Sequence, residues 1–318
     1  MKKQTLLIIS LIILFILSAA LLSYLFIKGT EITKVEGKIV FESNRNDPQR
    51  LPNICVLKDG KIFLLAGGID PCWSPDGKKI IYMVGSSEPI PGIYIINEDG
   101  TDKRLIFKEE EDALVWYPTF SPDGKKVVFI SDRGAPYSDV GAYLNIFVVD
   151  IDGENFRNIT NFKERRELYS VAYSPDGKKL IFTIRDPKTE LDHIATINID
   201  SSDMREITKG FSAKYSPNGK QIVFSDFAER RIPKIFIMNS DGTNKRQLTF
   251  GEWRDIQPVF SPDGKKICYA SYRHSDMPWE SELFVINTDG TGEARITPPA
   301  FIPGTTKFVT DSGPDWHE

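Results

Sequence analysis

Ser121-Pro122-Asp123-Gly124-Lys125, with Phe120 before it and Val127 to Ile130 after it, is one of five copies of the same string. The others start at Ser74, Ser174, Ser216 and Ser261, each behind an aromatic residue (Trp73, Tyr173, Tyr215, Phe260), at spacings of 47, 53, 42 and 45 residues. A period of that length belongs to a propeller blade of four strands rather than to a shorter solenoid repeat. The string itself reads as a tight turn. Serine caps it locally, proline presets φ, aspartate tolerates the bridge region, and glycine takes the left-handed conformation a short hairpin needs. Asn218 replaces aspartate in the fourth copy and serves the same turn.

The residues after each turn (80–84, 127–130, 180–184, 222–224 and 267–270) are short apolar runs without clean alternation, as expected of strands covered on both faces. Third strands are expected at 93–96, 146–149, 235–238 and 283–286. A second turn signal comes as Asp59-Gly60, Asp99-Gly100, Asp152-Gly153, Asp241-Gly242 and Asp289-Gly290. Fourth strands then end in Ile159-Thr160, Ile207-Thr208, Leu248-Thr249 or Ile296-Thr297. At the two ends, residues 37–41 match the second strand of a blade that lacks a first, and Pro314-Asp315-Trp316 match the first strand of a blade that lacks the rest. Joining them predicts an all-β, six-bladed propeller with four-stranded blades over residues 37–318, its first blade closed by the C-terminal strand, which removes the open edges of an unclosed array.

Residues 6–27 are 22 residues without a charge, about 33 Å as a helix and long enough for a bilayer core of about 30 Å. Residues 1–36 are therefore expected to be one N-terminal transmembrane helix and a short linker. The apolar run continues past Ser18-Ala19-Ala20, which favours an uncleaved signal anchor; a cleaved signal releasing a secreted domain is the alternative. Lys2 and Lys3 place the N-terminus in the cytoplasm and the propeller on the extracytoplasmic side of the cell membrane, with Lys28 and Lys34 pulling the other way.

The chain has 40 Lys plus Arg and 44 Asp plus Glu; four and two of these precede residue 37, so the propeller carries a net charge of about −6. Without a basic footprint, nucleic acid is not an expected partner. Cys55, Cys72 and Cys268 read as small buried apolar residues, or, in an exported domain, as a Cys55–Cys72 disulfide with one thiol left over. The three histidines, His193, His274 and His317, are isolated, and Glu109 to Asp112 read as a solvated face, so neither a metal nor a cofactor is expected.

With the blades in place, the chain resembles the TolB-like propeller family, whose repeat is most complete at Phe120 to Lys125, Val128-Phe129-Ile130-Ser131-Asp132-Arg133, Ile146 to Asp150 and Ile159-Thr160. The resemblance covers residues 37–318 and implies the fold. The protein that names the family has a further N-terminal α/β domain, and here the anchor runs almost directly into the first blade, so its role in the Tol envelope system is not carried over. Similar propellers accompany serine peptidases, but no G-x-S-x-G elbow occurs here.

The strand 2 to strand 3 loops and the blade-to-blade loops share the face opposite the SPDG turns, and they are the long, variable ones. Function tends to sit on such loops. Trp116, Tyr117, Trp253 and Trp279, with Arg133, Arg254 and Arg273, lie in or beside them and form the candidate ligand-binding set. Each also has a structural alternative, Trp116 packing under its loop and the S-x-R arginines pairing with a carboxylate. No catalytic residue is assigned. The expected function is a non-catalytic, membrane-anchored module that binds a cell-envelope protein or peptide, or an envelope polysaccharide. The alternative is a polysaccharide-acting lyase or hydrolase with its site at the propeller funnel.

Overall fold

A computed structural model describes residues 33–45, 51–85, 90–108, 114–134, 143–228, 231–273, 280–298 and 309–318. The apolar run at 6–27, Trp279, His274 and Glu109 to Asp112 fall outside them. Among the described residues no helix is long and apolar enough to cross a membrane.

The first blade begins with β1 (Lys38–Ser43), β2 (Asn53–Lys58) and β3 (Lys61–Gly67). Blade 2 is β4 (Ile69–Trp73), β5 (Lys79–Val84), β6 (Gly92–Asn97) and β7 (Arg104–Lys108); blade 3 is β8 (Val115–Phe120), β9 (Lys126–Ser131), β10 (Asn145–Asp150) and β11 (Arg157–Asn158). Blade 4 is β12 (Glu167–Tyr173), β13 (Lys179–Arg185), β14 (Asp192–Asn198) and β15 (Arg205–Lys209). Blade 5 is β16 (Phe211–Tyr215), β17 (Gln221–Phe227), β18 (Pro233–Asn239) and β19 (Arg246–Gln247). Blade 6 is β20 (Asp255–Phe260), β21 (Lys266–Ser271), β22 (Glu282–Asn287) and β23 (Ala294–Arg295). Finally β24 (Asp311–His317) pairs antiparallel with β1, so that the first sheet has the order β24-β1-β2-β3 and the ring closes as the sequence implies.

Each SPDG turn is built by the same bonds. In the third blade Gly124 N–H donates to Ser121 O at 2.9 Å, and Ser121 Oγ donates to Asp123 Oδ1 at 2.6 Å while accepting the Lys126 N–H at 2.9 Å. Asn218 accepts from Ser216 in the same way at 2.8 Å, which is why the variant copy folds alike. Replacing Ser121 by alanine leaves the Lys126 N–H without this acceptor, and we expect a loss of about 1–2 kcal/mol in urea unfolding, with no change of m-value. The turns also stack around the ring: a Cβ on Gly124 would meet Pro75, and one on Gly177 would meet Pro122, at 3.5 and 3.7 Å. At the seam no proline is available, and the His317 ring fills the place against Gly77, with Nε2 3.0 Å from Pro75 O.

The second turn of blade 4 carries no glycine. Ser201 takes the left-handed conformation there (φ 75°), with Asp200 Oδ1 accepting the Ser202 N–H at 2.9 Å and hydroxyl at 2.6 Å, as Asp99 does for Thr101.

The core is six clusters, one between each pair of neighbouring blades. Val127 and Phe129 of β9 face blade 2, where Phe129 lies 4.7 Å from Phe107, while Val128 and Ile130 face blade 4. Strands sandwiched in this way bury both faces, so they read as continuous apolar runs. All three cysteines are free: Cys55 and Cys268 are buried and Cys72 is half-buried, so the Cys55–Cys72 bridge is not formed and the thiols act as small core residues.

Candidate functional site

The six innermost strands, β4, β8, β12, β16, β20 and β24, surround the axis, and each breaks its ladder at the same place. Asp70, Tyr117, Ser170, Ser212, Gln257 and Gly313, the residue four before the serine of each turn or its equivalent at the seam, all have left-handed backbone with φ between 50° and 56°. Register shifts in the ladders mark these positions as bulges. In four of the blades the next residue is Pro71, Pro118, Pro258 or Pro314, which has no N–H to offer a ladder and is at home in a bulge. Left-handed backbone costs a non-glycine residue about 1 kcal/mol, and strain of this kind concentrates at functional sites.

The bulges turn their residues toward an axial cavity of about 80 Å³ walled by all six inner strands. That volume holds on the order of five waters or the end of one side chain, not a sugar ring. Its wall is polar. Asp70, Lys214 and Asp315 line it together with Tyr117, Ser170 and Gln257. The bulges also hydrogen-bond from one inner strand to the next: Tyr117 N–H donates to Asp70 Oδ2 at 3.0 Å, and Gly313 N–H to Gln257 Oε1 at 3.0 Å. Asp315 Oδ2 accepts the Trp73 N–H at 2.7 Å.

Behind Asp70 stands Glu42 of β1, whose Oε1 accepts the Asp70 N–H at 2.7 Å. Both residues are half-buried, and Asp70 lines the axial cavity. Burial first, then the facing Asp70 carboxylate, pushes Glu42 up to about 8. Burial likewise raises Asp70 to about 6, opposed by the Tyr117 N–H and by Lys214. Burial and then the Asp315 carboxylate push the Cys72 thiol up, which removes it as a nucleophile at neutral pH.

Of the seven residues anticipated from the sequence, Trp279 lies outside the described residues, and the other six do not converge. Tyr117 does reach the cavity, its phenol raised by burial and by Asp70 and Glu42. Trp116 is half-buried against the core between blades 3 and 4. Arg133 lies 5.1 and 4.9 Å over the rings of Phe107 and Phe156. Arg273 is built into blade 6, 4.1 Å over Phe284, with Glu293 at 2.5 Å and Asp255 at 3.4 Å. Arg254 lies 4.9 Å over Tyr272. Among the six described, Trp253 is the one that presents a large apolar surface, 43% exposed.

Trp253 belongs to a second feature, on the loop face at blade 5. Phe250, three residues before it, is 69% exposed, and Phe227, 49% exposed, ends β17 where the β17–β18 loop begins. Between these loops opens a groove of about 390 Å³ walled by Ala228, Ile232, Gln247, Phe250 and Gly251. Lys234, almost fully buried, holds the β19–β20 loop from beneath. Its Nζ donates to the Trp253 and Phe250 carbonyls and to Asp255 Oδ2 at 2.9 Å. The sequence signal for this groove is bulky apolar residues in loops that a buried strand does not need.

Among the described residues no group of three or more His, Cys, Asp and Glu is placed to hold a metal ion. His193 instead sits 3.4 Å from Glu206 and His317 at the seam.

Comparison with known proteins accords with this architecture. TolB from Acinetobacter baumannii superposes with a TM-score of 0.68 over 92% of this chain and 69% of its own, at 20% identity. The TolB homolog of Chlorobium chlorochromatii is 30% identical over 131 residues, 40% of this chain and 28% of the relative. The Tol-Pal system protein TolB 1 of Novosphingobium aromaticivorans is 50% identical over 44 residues, 14% of this chain and 10% of the relative. The matched stretches thus span less than a third of either curated relative. The family model of the TolB β-propeller domain matches residues 66–231 and 138–311, more than half of the chain. By that match, and by the six closed four-stranded blades, the chain belongs to the TolB β-propeller family.

Proposed function

We propose that this chain is a membrane-tethered, extracytoplasmic binding module that captures a cell-envelope protein or peptide on its loop face. The observation that carries the reading is the groove walled by Phe250, with Phe227 and Trp253 also exposed on the segments that border it and the buried Lys234 holding the loop from beneath. Aromatic anchors around a groove are what peptide and protein hot spots are built from. One curated relative, from Novosphingobium aromaticivorans, is named as a Tol-Pal system protein, which favours an envelope partner here.

The chain's path supports the orientation. Thr33 N–H donates to Arg295 O at 2.9 Å, Lys34 lies 3.8 Å from Asp59, and residues 33–37 run beside Ser261 and Pro262, all on the SPDG-turn side. With residues 6–27 as the anchor, that side faces the membrane and the aromatic groove faces away from it.

A photocrosslinking residue at position 250 in the full-length chain, in intact cells, is expected to capture an envelope protein, whereas one at Lys125 on the SPDG side is not. Phe250→Ser with Trp253→Ser should lower capture at least tenfold while leaving the melting temperature unchanged. Capture from Lys125 alone, or turnover of a glycan by the purified protein, would overturn the reading.

A further inference from the structure

Among the described residues, five of the six blades blunt their outer edge and one does not. β11, β19 and β23 are two residues each. β7 carries Arg104 and Lys108 at its ends, and β15 carries Arg205, Glu206 and Lys209. Short strands and edge charges are how sheets avoid pairing with other chains. β3 of blade 1 instead has seven residues, Lys61-Ile62-Phe63-Leu64-Leu65-Ala66-Gly67, with a single charge at its start, and Phe63 and Leu64 are 49% and 48% exposed. It ends the sheet order β24-β1-β2-β3, and its described partner is β2 alone.

The turn decides which backbone groups of β3 are unspent. Asp59 and Gly60 are both left-handed (φ 53° and 72°), a type I′ hairpin flanked by the pair Lys58↔Lys61. That pair exchanges both ladder bonds, and so does Val56↔Phe63 two residues on. The N–H and C=O of Ile62 and Leu64 therefore point away from β2, toward the open edge. A groove of about 660 Å³ opens beside Phe63, walled by Val56 and by Lys58, Lys78, Lys79, Glu98 and Asp99, three cations to two carboxylates. Lys61 adds a fourth cation at the same end of the strand. Lys61 and Lys78 are exposed and, among the described residues, pair with no carboxylate.

We propose that β3 is a docking edge for an extended segment of another protein, which adds to blade 1 as an antiparallel fifth strand. Its main chain bonds to Ile62 and Leu64, its apolar side chains cover Phe63 and Leu64, and its carboxylates meet Lys61 and Lys78. The charge sets the direction. β3 begins at the cationic end, so an antiparallel partner must end there, with its acidic residues at its C-terminal end. A second copy of this chain is the poorer occupant. Paired antiparallel, its SPDG side would face the opposite way, which two chains anchored in one membrane, as proposed above, cannot do. Paired parallel and in register, it sets Lys61 against Lys61.

The probe is a synthetic peptide of alternating valine and threonine that ends in two glutamates, added to the full-length protein in detergent and followed by hydrogen exchange. The amides of Ile62 and Leu64 should gain at least tenfold protection while those of β7 do not change. Moving the glutamates to the N-terminus of the peptide, or placing a proline at its centre, should weaken binding at least tenfold. Phe63→Lys with Leu64→Lys gives β3 the charges that other edges carry, and should weaken binding as much with the melting temperature unchanged. Phe250→Ser with Trp253→Ser should bind the probe like the wild type, which separates this edge from the aromatic groove of blade 5. No protection of β3 with the probe at about 1 mM, or equal protection by both glutamate placements, would overturn the proposal. So would a dimer in sedimentation that the lysine variant loses, since the edge would then belong to a second copy. Should the lysine variant not fold, the proline peptide decides: protection equal to that of the original probe overturns the docking edge, and its loss supports it.

Discussion

Removal of residues 311–318 is expected to leave a chain with no cooperative unfolding transition. β24 supplies the inner strand of blade 1 and contacts both neighbouring blades. Trp316 is buried against Ile39, with its Nε1–H donating to Glu36 O at 2.9 Å. Asp311, fully buried, accepts from Ser43 Oγ at 2.7 Å and pairs with Arg45, whose guanidinium would be left half-enclosed with only the Pro298 carbonyl, at 2.7 Å, as acceptor. Losing a buried tryptophan alone costs about 3–5 kcal/mol, and a buried ion pair broken on one side costs about as much. Together they approach the whole stability of a typical domain, about 5–15 kcal/mol. Calorimetry of the truncated and intact proteins decides the matter: melting within a few degrees of the intact protein would mean that closure contributes little.

Asp255→Ala is expected to be the most damaging single substitution, at about 3–5 kcal/mol by urea unfolding. Asp255 is fully buried and accepts from Ser271 Oγ at 2.6 Å, Lys234 Nζ at 2.9 Å and Arg273 Nη2 at 3.4 Å. Without it, the Lys234 ammonium keeps only two carbonyls in a site closed to water. Because those carbonyls belong to Phe250 and Trp253, the same change should loosen the aromatic groove. Asp255→Asn, which keeps shape but not charge, should fall between. A loss below about 1 kcal/mol in the alanine variant would show that Lys234 is hydrated in solution.

The blades were legible because each SPDG turn states its chemistry locally, and the closure because two half-blades at opposite ends complement each other. The second turn of blade 4 was not, since Ser201 adopts a conformation that the sequence advertises only through glycine. The S-x-R arginines could be picked out by position, but not their fate: Arg273 finds Glu293 twenty residues later, across the blade. The carboxyl pair was hidden for a similar reason, since Glu42 and Asp70 lie 28 residues apart on different blades and meet only when blades 1 and 2 pack together. A usable signal did exist. Counting back four residues from each turn serine names the bulge residues, Asp70, Tyr117, Ser170, Ser212 and Gln257, that face the axis.

The partner of Ser43 at the seam, Asp311, lies 268 residues further along the chain. At ribosomal speeds of about 5–20 residues per second, roughly 10–50 s separate the synthesis of β1 from that of the strand it needs. Throughout that interval the first blade has an unfilled inner edge, a template for any passing extended segment. Cells making this protein therefore face a time window, not only an energy gap. A chaperone that occupies β1 during synthesis would raise the yield of closed rings without changing the stability of the finished protein.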